Sequence, residues 1–307
     1  MGKKAAPRNV KGSTASGILV LNKPTGITSR KLVDQVTRLL PGCKVGHAGT
    51  LDPLATGILI VCVGAATRLV ENVQNLSKTY RTLIRLGARS DTLDADGRIE
   101  VEASPAIPSP GEIQESILPF AGAVLQRPPA YSAIKIQGKR AYDLARSGQT
   151  LELAPRLVRI DRIAVIEYSW PRLELEIDCG GGTYIRAIAR DIGDSLGCGG
   201  YVEALVRTRT GPFTLEQAID AAALSVESIR GLLRPALDAV PTLPRLELDA
   251  GQIEAVTQGK RLPTRDLPGE MTRCAGEVAL LNSEGTLIAL GELELDQGWL
   301  QPRKVLI

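Results

Sequence analysis

The 307-residue sequence contains one histidine, His47, and only 3% aromatic residues. A zinc site with two histidine ligands is therefore excluded, and a Ser-His-Asp triad would have no base other than His47. The G-x-x-x-x-G-K-[ST] and G-x-G-x-x-G motifs are absent, which argues against nucleotide hydrolysis and against hydride transfer with a bound dinucleotide. We therefore expect an activity that needs no metal and no organic cofactor.

Cysteine is also sparse, and no hydrophobic run approaches the ~20 residues that a membrane-spanning helix needs. The five cysteines are odd in number and show no C-x-x-C spacing, so they indicate neither a zinc site nor a disulfide framework. No apolar signal segment follows the basic N-terminus. We expect a soluble protein of the reducing cytoplasm, without a membrane partner.

Positive charge is unevenly distributed along the chain, although the net charge is only +3. Residues 1–50 carry nine lysines and arginines against one aspartate, so this segment has a charge of +8 and the remainder has −5. Residues 127–162 carry eight cations against three carboxylates. Such separation suits a polyanion such as nucleic acid, because each neutralised phosphate releases counterions. Ordinary solvated surfaces would explain the same charges equally well.

Hydrophobic periodicity predicts the elements of the first part of the chain. Residues 1–16 contain little that can be buried and are predicted to form a flexible basic arm. A buried strand follows at Ile18–Leu21, and then a helix capped by Ser29. Residues 45–57 are rich in glycine and are predicted to form a loop, which leads into a second buried strand at Ile58–Val63.

Further strands are predicted near Tyr80 and at Leu173–Ile177, where apolar and polar residues alternate. A capping box at Ser109 opens a helix, and another helix is predicted from Ile185 onward. After about residue 244 the strands become short and turns frequent. This change predicts a small β-rich domain at residues 245–307, behind a larger domain at residues 17–244.

One carboxylate stands out in the glycine-rich segment Gly46–Gly57. Asp52 precedes Pro53, which disfavours a helical backbone, and the flanking glycines let a second backbone come close. A carboxylate beside a buried strand costs desolvation energy unless a cation neutralises it, and we expect Arg186 to do so. Asp91, in a later polar turn, is a candidate for contact with the same site. The alternative for Asp52 is a structural role as a turn cap.

Gly46–Gly57 closely resembles the catalytic motif of the TruB family of tRNA pseudouridine synthases. Within this motif, the residues Asp52–Gly57 resemble the stand-alone bacterial branch of the family rather than the guide-RNA-dependent relatives of archaea and eukaryotes. Ordered blocks are far more specific than one motif, so the resemblance favours a catalytic Asp52. Five further blocks match the family in the same order: Gly17–Gly26, Lys78–Arg81, Thr92–Gly97, Gly182–Arg186 and Leu205–Phe213.

The resemblance implies an α+β pseudouridine synthase fold, with a mixed and largely antiparallel sheet flanked by helices. Residues 17–244 would form the catalytic domain, and residues 245–307 resemble the family's small RNA-binding PUA domain in position and texture. The implied activity is isomerisation of uridine 55 in the T-loop of tRNA, by base flipping and without a cofactor. The partner would be the T-arm of tRNA, and no obligatory protein partner is expected.

The resemblance also implies a role for each residue of the site. Asp52 occupies the catalytic position, where it would act either as a nucleophile on C1′ or as a base at C2′. Arg186 resembles its salt-bridge partner, and Tyr80 resembles the residue that stacks on the target uracil. Tyr184 and Leu205 match further positions of the substrate pocket.

Two more residues, His47 and Lys23, match family positions. His47 resembles the wedge that fills the gap left by the flipped uridine, whereas a lone histidine in another context would more often be a partly buried hydrogen-bonding residue. Lys23 would either bind phosphate or form a salt bridge within the core.

Two other classes of protein compete with this interpretation. A glycoside hydrolase also acts at C1′ with carboxylates, but it needs a second carboxyl group ~5 to 9.5 Å away, for which only Asp91 or Asp94 is available. The few aromatic residues also leave little for a platform that stacks on sugars. A non-catalytic RNA-binding or RNA-chaperone module would be consistent with the basic arm and the C-terminal domain.

Overall fold

The computed structural model describes residues 15–132, 135–136, 139–140, 153–269, 271 and 276–307. The predicted basic arm lies outside these residues except for Ala15 and Ser16. The described side chains also exclude one cysteine, Cys274, and four cations of the basic stretch at residues 127–162, namely Lys135, Lys139, Arg140 and Arg146.

Helices are interspersed among runs of strands in the first two thirds of the chain. The described α-helices are α1 (Ser29–Leu39), α2 (Val70–Asn75), α3 (Pro110–Ile117), α4 (Ile185–Ser195) and α5 (Ala250–Thr257). The strands up to residue 220 are β1 (Gly17–Lys23), β2 (Val45–Ala48), β3 (Thr56–Val63), β4 (Lys78–Leu86), β5 (Ala88–Ser90), β6 (Ile99–Val101), β7 (Gly122–Gln126), β8 (Lys135–Ile136), β9 (Lys139–Arg140), β10 (Arg156–Ser169), β11 (Arg172–Cys179), β12 (Gly200–Thr210), β13 (Phe213–Thr214) and β14 (Ile219–Asp220).

The main sheet of the described chain has ten strands, in the order β14-β1-β3-β12-β4-β11-β10-β7, with β13 added to β12 and β2 added to β3. Only the β1–β14 and β3–β12 pairs are parallel. The other pairs are antiparallel, so the predicted mixed, largely antiparallel sheet is confirmed. Strand β12 enters between β3 and β4, which brings residues 200–210 to the centre of a sheet begun by the first 86 residues.

Two local predictions were wrong. Thr28, not Ser29, caps α1, since the Thr28 side chain accepts a hydrogen bond from the Lys31 amide at 3.1 Å. Residues Val45–Ala48, predicted to be part of a loop, form strand β2 and pair with β3. Small residues lower strand propensity, but the antiparallel partner β3 supplies hydrogen bonds that propensity does not anticipate. The predicted capping box at Ser109 is present at the start of α3.

Both faces of the sheet's first strands are buried. Leu19 and Leu21 of β1 belong to a core cluster with the apolar stripes of α1 and α4. Ile18 and Val20 point into a second cluster on the opposite face, which includes α2. This double burial explains why β1 and β3 are continuous apolar runs rather than alternating strands.

A second sheet is formed by β15 (Arg245–Glu247), β16 (Leu262–Pro263), β17 (Gly276–Leu281), β18 (Leu287–Glu294) and β19 (Trp299–Val305), in the order β15-β17-β18-β19-β16. It packs on the main sheet, because Leu281, Leu290 and Leu306 share the second core cluster with Ile18 and Val20. That these residues form an RNA-binding PUA domain stays a prediction.

Polar contacts reinforce the junction between the two sheets. The Asn72 side chain donates to Glu277 at 2.6 Å and accepts from the Lys304 ammonium at 2.7 Å. The two parts of the chain are thus joined by an apolar core and by hydrogen bonds. Within the described residues, no helix is long and apolar enough to cross a bilayer.

Candidate active site

The loop between β2 and β3 carries Asp52 and is fixed from two sides. The Ser29 hydroxyl accepts a hydrogen bond from the Leu51 amide at 2.8 Å and donates to the Leu51 carbonyl at 3.0 Å. On the other side of Asp52, the Gly26 amide donates to the Pro53 carbonyl at 2.8 Å. Because Thr28 caps α1, the Ser29 hydroxyl is available for the loop. The backbone on both sides of Asp52 is therefore held by the β1–α1 segment.

Asp52 and Arg186 form the ion pair that the sequence predicts. The Arg186 Nε lies 3.0 Å from Asp52 Oδ2, and Nη2 lies 3.2 Å from Oδ1, so the pair is bidentate. Arg186 is in the first turn of α4, and its side chain is only 7% exposed, whereas 34% of the Asp52 side chain is exposed. The buried guanidinium thus holds the carboxylate on the side that faces the protein interior, and the carboxylate remains partly accessible to solvent.

Arg186 uses its remaining donors on three other groups. Nη1 donates to the Thr92 carbonyl at 2.9 Å and lies 3.1 Å from Asp94 Oδ2, and Nη2 donates to the Tyr131 carbonyl at 2.9 Å. Each of the three guanidinium nitrogens therefore has at least one hydrogen-bond or ion-pair partner. Partners on several sides fix the orientation of the guanidinium, and Asp52 is oriented with it.

The turn that supplies Thr92 and Asp94 contains an unusual backbone conformation. Leu93 has φ = 65°, in the left-handed region that residues with a side chain rarely adopt. This conformation turns the Thr92 carbonyl and the Asp94 carboxylate toward the same guanidinium. The strain at Leu93 is therefore associated with the geometry around Arg186.

Desolvation sets the protonation behaviour of Asp52. Burial raises the pKa of this carboxyl above its ordinary value of 3.8, and the carboxylates of Asp94 and Asp96 add to the increase. The cations Arg186 and Lys23 oppose it. Arg186 thus holds the carboxylate in place, while burial and the neighbouring carboxylates destabilise its charged form. This destabilisation favours the reactivity of the charged carboxylate.

Tyr80 and Leu205 lie beside the loop, on the neighbouring strands β4 and β12. Both are buried and belong to the core cluster that also contains Leu51 and Ala55 of the loop. Burial raises the pKa of the Tyr80 phenol, and the Asp52 carboxylate contributes to this increase. The phenol accepts a hydrogen bond from Arg207 at 3.4 Å.

Tyr184 and His47 flank the same region. Tyr184 occupies the N-cap position of α4 without a side-chain capping bond, and its amide donates to the Gln126 side chain at 2.8 Å. Burial raises the pKa of the Tyr184 phenol, with a contribution from Asp52. His47 is half-buried on β2, where it pairs with Val61. The structure thus places Arg186 against Asp52, and the phenols of Tyr80 and Tyr184 are near enough for the Asp52 carboxylate to raise their pKa values. His47 lies on the strand that leads into the loop.

The contacts of Lys23 contradict a phosphate-binding role. Its side chain is fully buried, and its ammonium donates to the carbonyls of Pro24 (2.8 Å), Ile27 (2.7 Å) and Pro53 (3.3 Å). Burial lowers its pKa to about 8. A lysine saturated by carbonyls cannot reach an RNA phosphate, and it forms no salt bridge among the described residues. Lys23 instead holds the loop beside Asp52.

A family model described as the N-terminal domain of TruB family pseudouridylate synthases matches residues 37–185. A second model, described as the C-terminal domain of tRNA pseudouridylate synthase B, matches residues 186–240. The chain is 42% identical over 282 residues to a tRNA pseudouridine synthase B of Syntrophobacter fumaroxidans, an alignment that covers 90% of this chain and 92% of the relative. The chain belongs to the TruB family.

A second curated relative carries the same name, and two solved structures share the fold. A tRNA pseudouridine synthase B of Ralstonia pickettii is 41% identical over 298 residues, with 94% of this chain and 93% of the relative covered. Among solved structures, a chain of a Cbf5–Nop10–Gar1 complex has a TM-score of 0.74 at 27% identity, over 96% of this chain and 86% of that chain. An H/ACA ribonucleoprotein bound to a substrate RNA containing 2′-deoxyuridine has a TM-score of 0.72 at 24% identity, which supports the fold.

The TruB site includes two residues whose contacts the sequence did not reveal. Asp94, rather than Asp91, reaches Arg186; the Asp91 side chain instead accepts from the Arg98 amide at 2.8 Å. Arg207 is buried beneath Tyr80. Both residues lie inside sequence blocks that match the family. Their location in these blocks is the sequence feature that could have indicated a role in the site. No three His, Cys, Asp or Glu side chains are grouped as metal ligands within the described ranges.

Proposed function

We propose that this chain converts uridine 55 in the T-loop of tRNA to pseudouridine, with Asp52 as the catalytic carboxylate, by base flipping and without a cofactor. The broader activity, formation of pseudouridine in tRNA, follows from its membership of the TruB family and from its identity of about 40% to named tRNA pseudouridine synthases B. The observation that supports the catalytic assignment is the bidentate ion pair between a partly exposed Asp52 and a buried Arg186 that other groups also hold in place.

The reaction requires no net gain or loss of atoms or electrons. The N1–C1′ bond of uridine breaks, the uracil turns, a C5–C1′ bond forms, and the proton lost from C5 is replaced by one on N1. A carboxylate is sufficient to promote bond cleavage, either as a nucleophile on C1′ or as a base at C2′. Arg186 keeps Asp52 oriented for either step.

The surrounding residues take the remaining roles. The Tyr80 ring would stack on the uracil, with Leu205 and Tyr184 as further walls of the pocket. His47 would fill the gap in the RNA after the uridine leaves its stack. The proposed partner is the T-arm of tRNA, bound without an obligatory protein partner, and residues 245–307 would act as the PUA-like RNA-binding domain. We expect the protein to act in the cytoplasm.

The glycoside hydrolase alternative loses support at Asp94. Such an enzyme needs a protonated carboxyl group that faces the leaving oxygen. Asp94 is buried, lies against Arg186, and accepts hydrogen bonds from the Thr92 hydroxyl at 2.6 Å and the Asp96 amide at 3.2 Å. Its position suits a support for Arg186, not a general acid.

The test is incubation of the enzyme with an unmodified tRNA transcript, followed by carbodiimide mapping of pseudouridine. A transcript with cytidine at position 55 is the matched control. We expect one modification, at position 55, that is absent in the control. Modification only at other positions would refute the site assignment, and no modification by a folded enzyme that binds the transcript would favour a non-catalytic RNA-binding module.

A further inference from the structure

Arg207 is a buried cation at the centre of the main sheet. Its side chain is among the largest that are fully enclosed, with 2% exposure. The residue lies on β12, where its backbone pairs with Gly57 of β3 on one side and with Tyr80 of β4 on the other. No carboxylate of the described chain lies within 4.0 Å of its guanidinium.

The guanidinium bonds to three different parts of the site. Nε donates to the Ile58 carbonyl of β3 at 2.7 Å, and Nη2 donates to the Gly49 carbonyl, at the start of the loop, at 3.1 Å. Nη1 donates to the Tyr80 hydroxyl at 3.4 Å, and the guanidinium carbon lies 6.0 Å from the centre of the Tyr80 ring. One side chain thus joins β3, the loop that carries Asp52, and the tyrosine.

We propose that Arg207 is a positioning residue, which fixes the Tyr80 ring relative to the Asp52 loop. This inference rests on the proposed function, because it assumes that Asp52 and Tyr80 act on the uridine. Arg207 is too deeply buried to bind RNA itself, so it acts through Tyr80 and the loop.

The energetic argument favours a functional role over a purely structural one. A buried charge without an opposite charge is costly, and apolar residues of similar volume are often at least as stabilising. Burial lowers the pKa of Lys23 and of Lys78 to about 8, and the positive charge of Arg207 adds to both decreases. It opposes the increase that burial causes in the pKa of Tyr80. The free-energy cost of burying this charge is offset if the guanidinium fixes the positions of Tyr80 and the loop, which an apolar side chain could not do.

The close approach of the two strands leaves little room for compensation. Gly57 has φ = 96°, and a Cβ at this position would lie 2.3 Å from the Arg207 carbonyl oxygen. The backbone of Arg207 is therefore confined against β3, and a shorter side chain at position 207 cannot move closer to Gly49 or Tyr80. Loss of the guanidinium should release the tyrosine and the loop together.

The test compares Arg207→Lys and Arg207→Met with Arg209→Lys. Arg209 is the matched control, because a register irregularity of β12 between Arg207 and Arg209 sets it opposite Thr79 rather than Tyr80. Its side chain is 40% exposed and pairs with Asp178. Single-turnover rate constants and tRNA dissociation constants are measured on the same transcript, and thermal unfolding verifies folding. Each protein is also labelled with 3-fluorotyrosine, and the ¹⁹F resonance of Tyr80 is identified among the six tyrosines by its loss in Tyr80→Phe.

We expect Arg207→Lys to lower the single-turnover rate constant by about tenfold to a hundredfold, the range for a displaced reacting group. The tRNA dissociation constant should stay within about twofold, because phosphate contacts elsewhere supply the affinity. The ¹⁹F resonance of Tyr80 should shift or broaden in Arg207→Lys and remain unchanged in Arg209→Lys. Arg207→Met should show the same pattern more strongly, and if it does not fold, Arg207→Lys decides alone.

Three results would overturn the inference: an unchanged rate constant in folded Arg207→Lys, a loss of rate with an unmoved Tyr80 resonance, or a loss of rate that equals the loss of tRNA affinity. Wild type and Asp52→Asn are assayed in parallel. If wild type is inactive or Asp52→Asn is active, the proposed function fails. If both behave as expected and Arg207→Lys is fully active, only the role of Arg207 fails.

Discussion

Replacing Asp52 with asparagine is expected to abolish turnover without destabilising the fold. Removal of one partner from a buried ion pair usually costs about 3–5 kcal/mol, because it leaves an uncompensated charge. Arg186 has a second carboxylate, Asp94, at 3.1 Å, so two acids share one base in the wild type. After the substitution, Arg186 and Asp94 form a neutral pair. Arg186 also keeps the carbonyls of Thr92 and Tyr131.

The expected change in the free energy of unfolding is therefore within about 1 kcal/mol of zero, the size of a single hydrogen-bond adjustment. The companion variant Arg186→Met leaves Asp52 and Asp94 without their shared cation and should lose about 3–5 kcal/mol. Denaturant unfolding of both variants measures the contrast. Equal destabilisation of the two variants would refute the argument that Asp94 compensates.

The pH dependence of stability tests the direction of the pKa shift at Asp52. The folded-state pKa of Asp52 is raised above its ordinary value of 3.8, so its contribution to stability is complete below that value and is lost as the pH rises through the folded-state pKa. The melting temperature of Asp52→Asn relative to wild type should consequently increase as the pH rises above 3.8. A difference that decreases over this range would show that the pKa is lowered instead.

Activity provides the second measurement on the same variant. Turnover of Asp52→Asn should fall to background, and the tRNA dissociation constant should stay within about a factor of ten, or ~1.4 kcal/mol. A well-folded Asp52→Asn enzyme that still forms pseudouridine at a rate near that of wild type would refute the assignment of the catalytic carboxylate.

Three further outcomes are expected. The single-turnover rate of wild type should fall on the acid side with a midpoint above 3.8, since Asp52 must be ionised and burial raises its pKa; a midpoint at or below 3.8 would contradict this. Activity should survive a chelator when monovalent salt maintains the tRNA fold, because isomerisation needs no electron or group carrier; loss that only a trace divalent metal restores would exclude this mechanism. Deletion of residues 245–307 should weaken tRNA binding and reduce its salt dependence. It should also lower the melting temperature, because each of the apolar side chains Leu281, Leu290 and Leu306 contributes ~1.5–3 kcal/mol when buried. An unchanged affinity and salt slope would reject an RNA-binding role for these residues.

The sequence predicted those parts of the fold that depend on local pattern. Apolar runs marked β1 and β3, alternation marked β4 and β11, and a capping box marked α3. The Asp52–Arg186 pair was also predictable, although 134 residues separate the partners, because a half-buried carboxylate requires a cation and the family motifs offer one.

The contacts that the sequence did not reveal depend on backbone geometry. The choice of Asp94 over Asp91 follows from the left-handed conformation at Leu93, and leucine gives no indication of such a turn. Burial of Lys23 follows from three carbonyls that converge on its ammonium. Arg207 is buried because its strand is placed between β3 and β4, a matter of topology that no local window contains.

The central place of β12 also determines when the site can form. Asp52 and Tyr80 precede β12 in the chain, and the strand that joins β3 to β4 ends only at Thr210. Until that strand emerges from the ribosome, β4 lacks its partner on this side and Thr56 and Gly57 of β3 lack theirs. The early part of the chain thus depends on long-range closure to complete its sheet. The segment that carries Asp52 is therefore translated before the strand that completes its surroundings, and the nascent chain carries exposed strand edges in the interval.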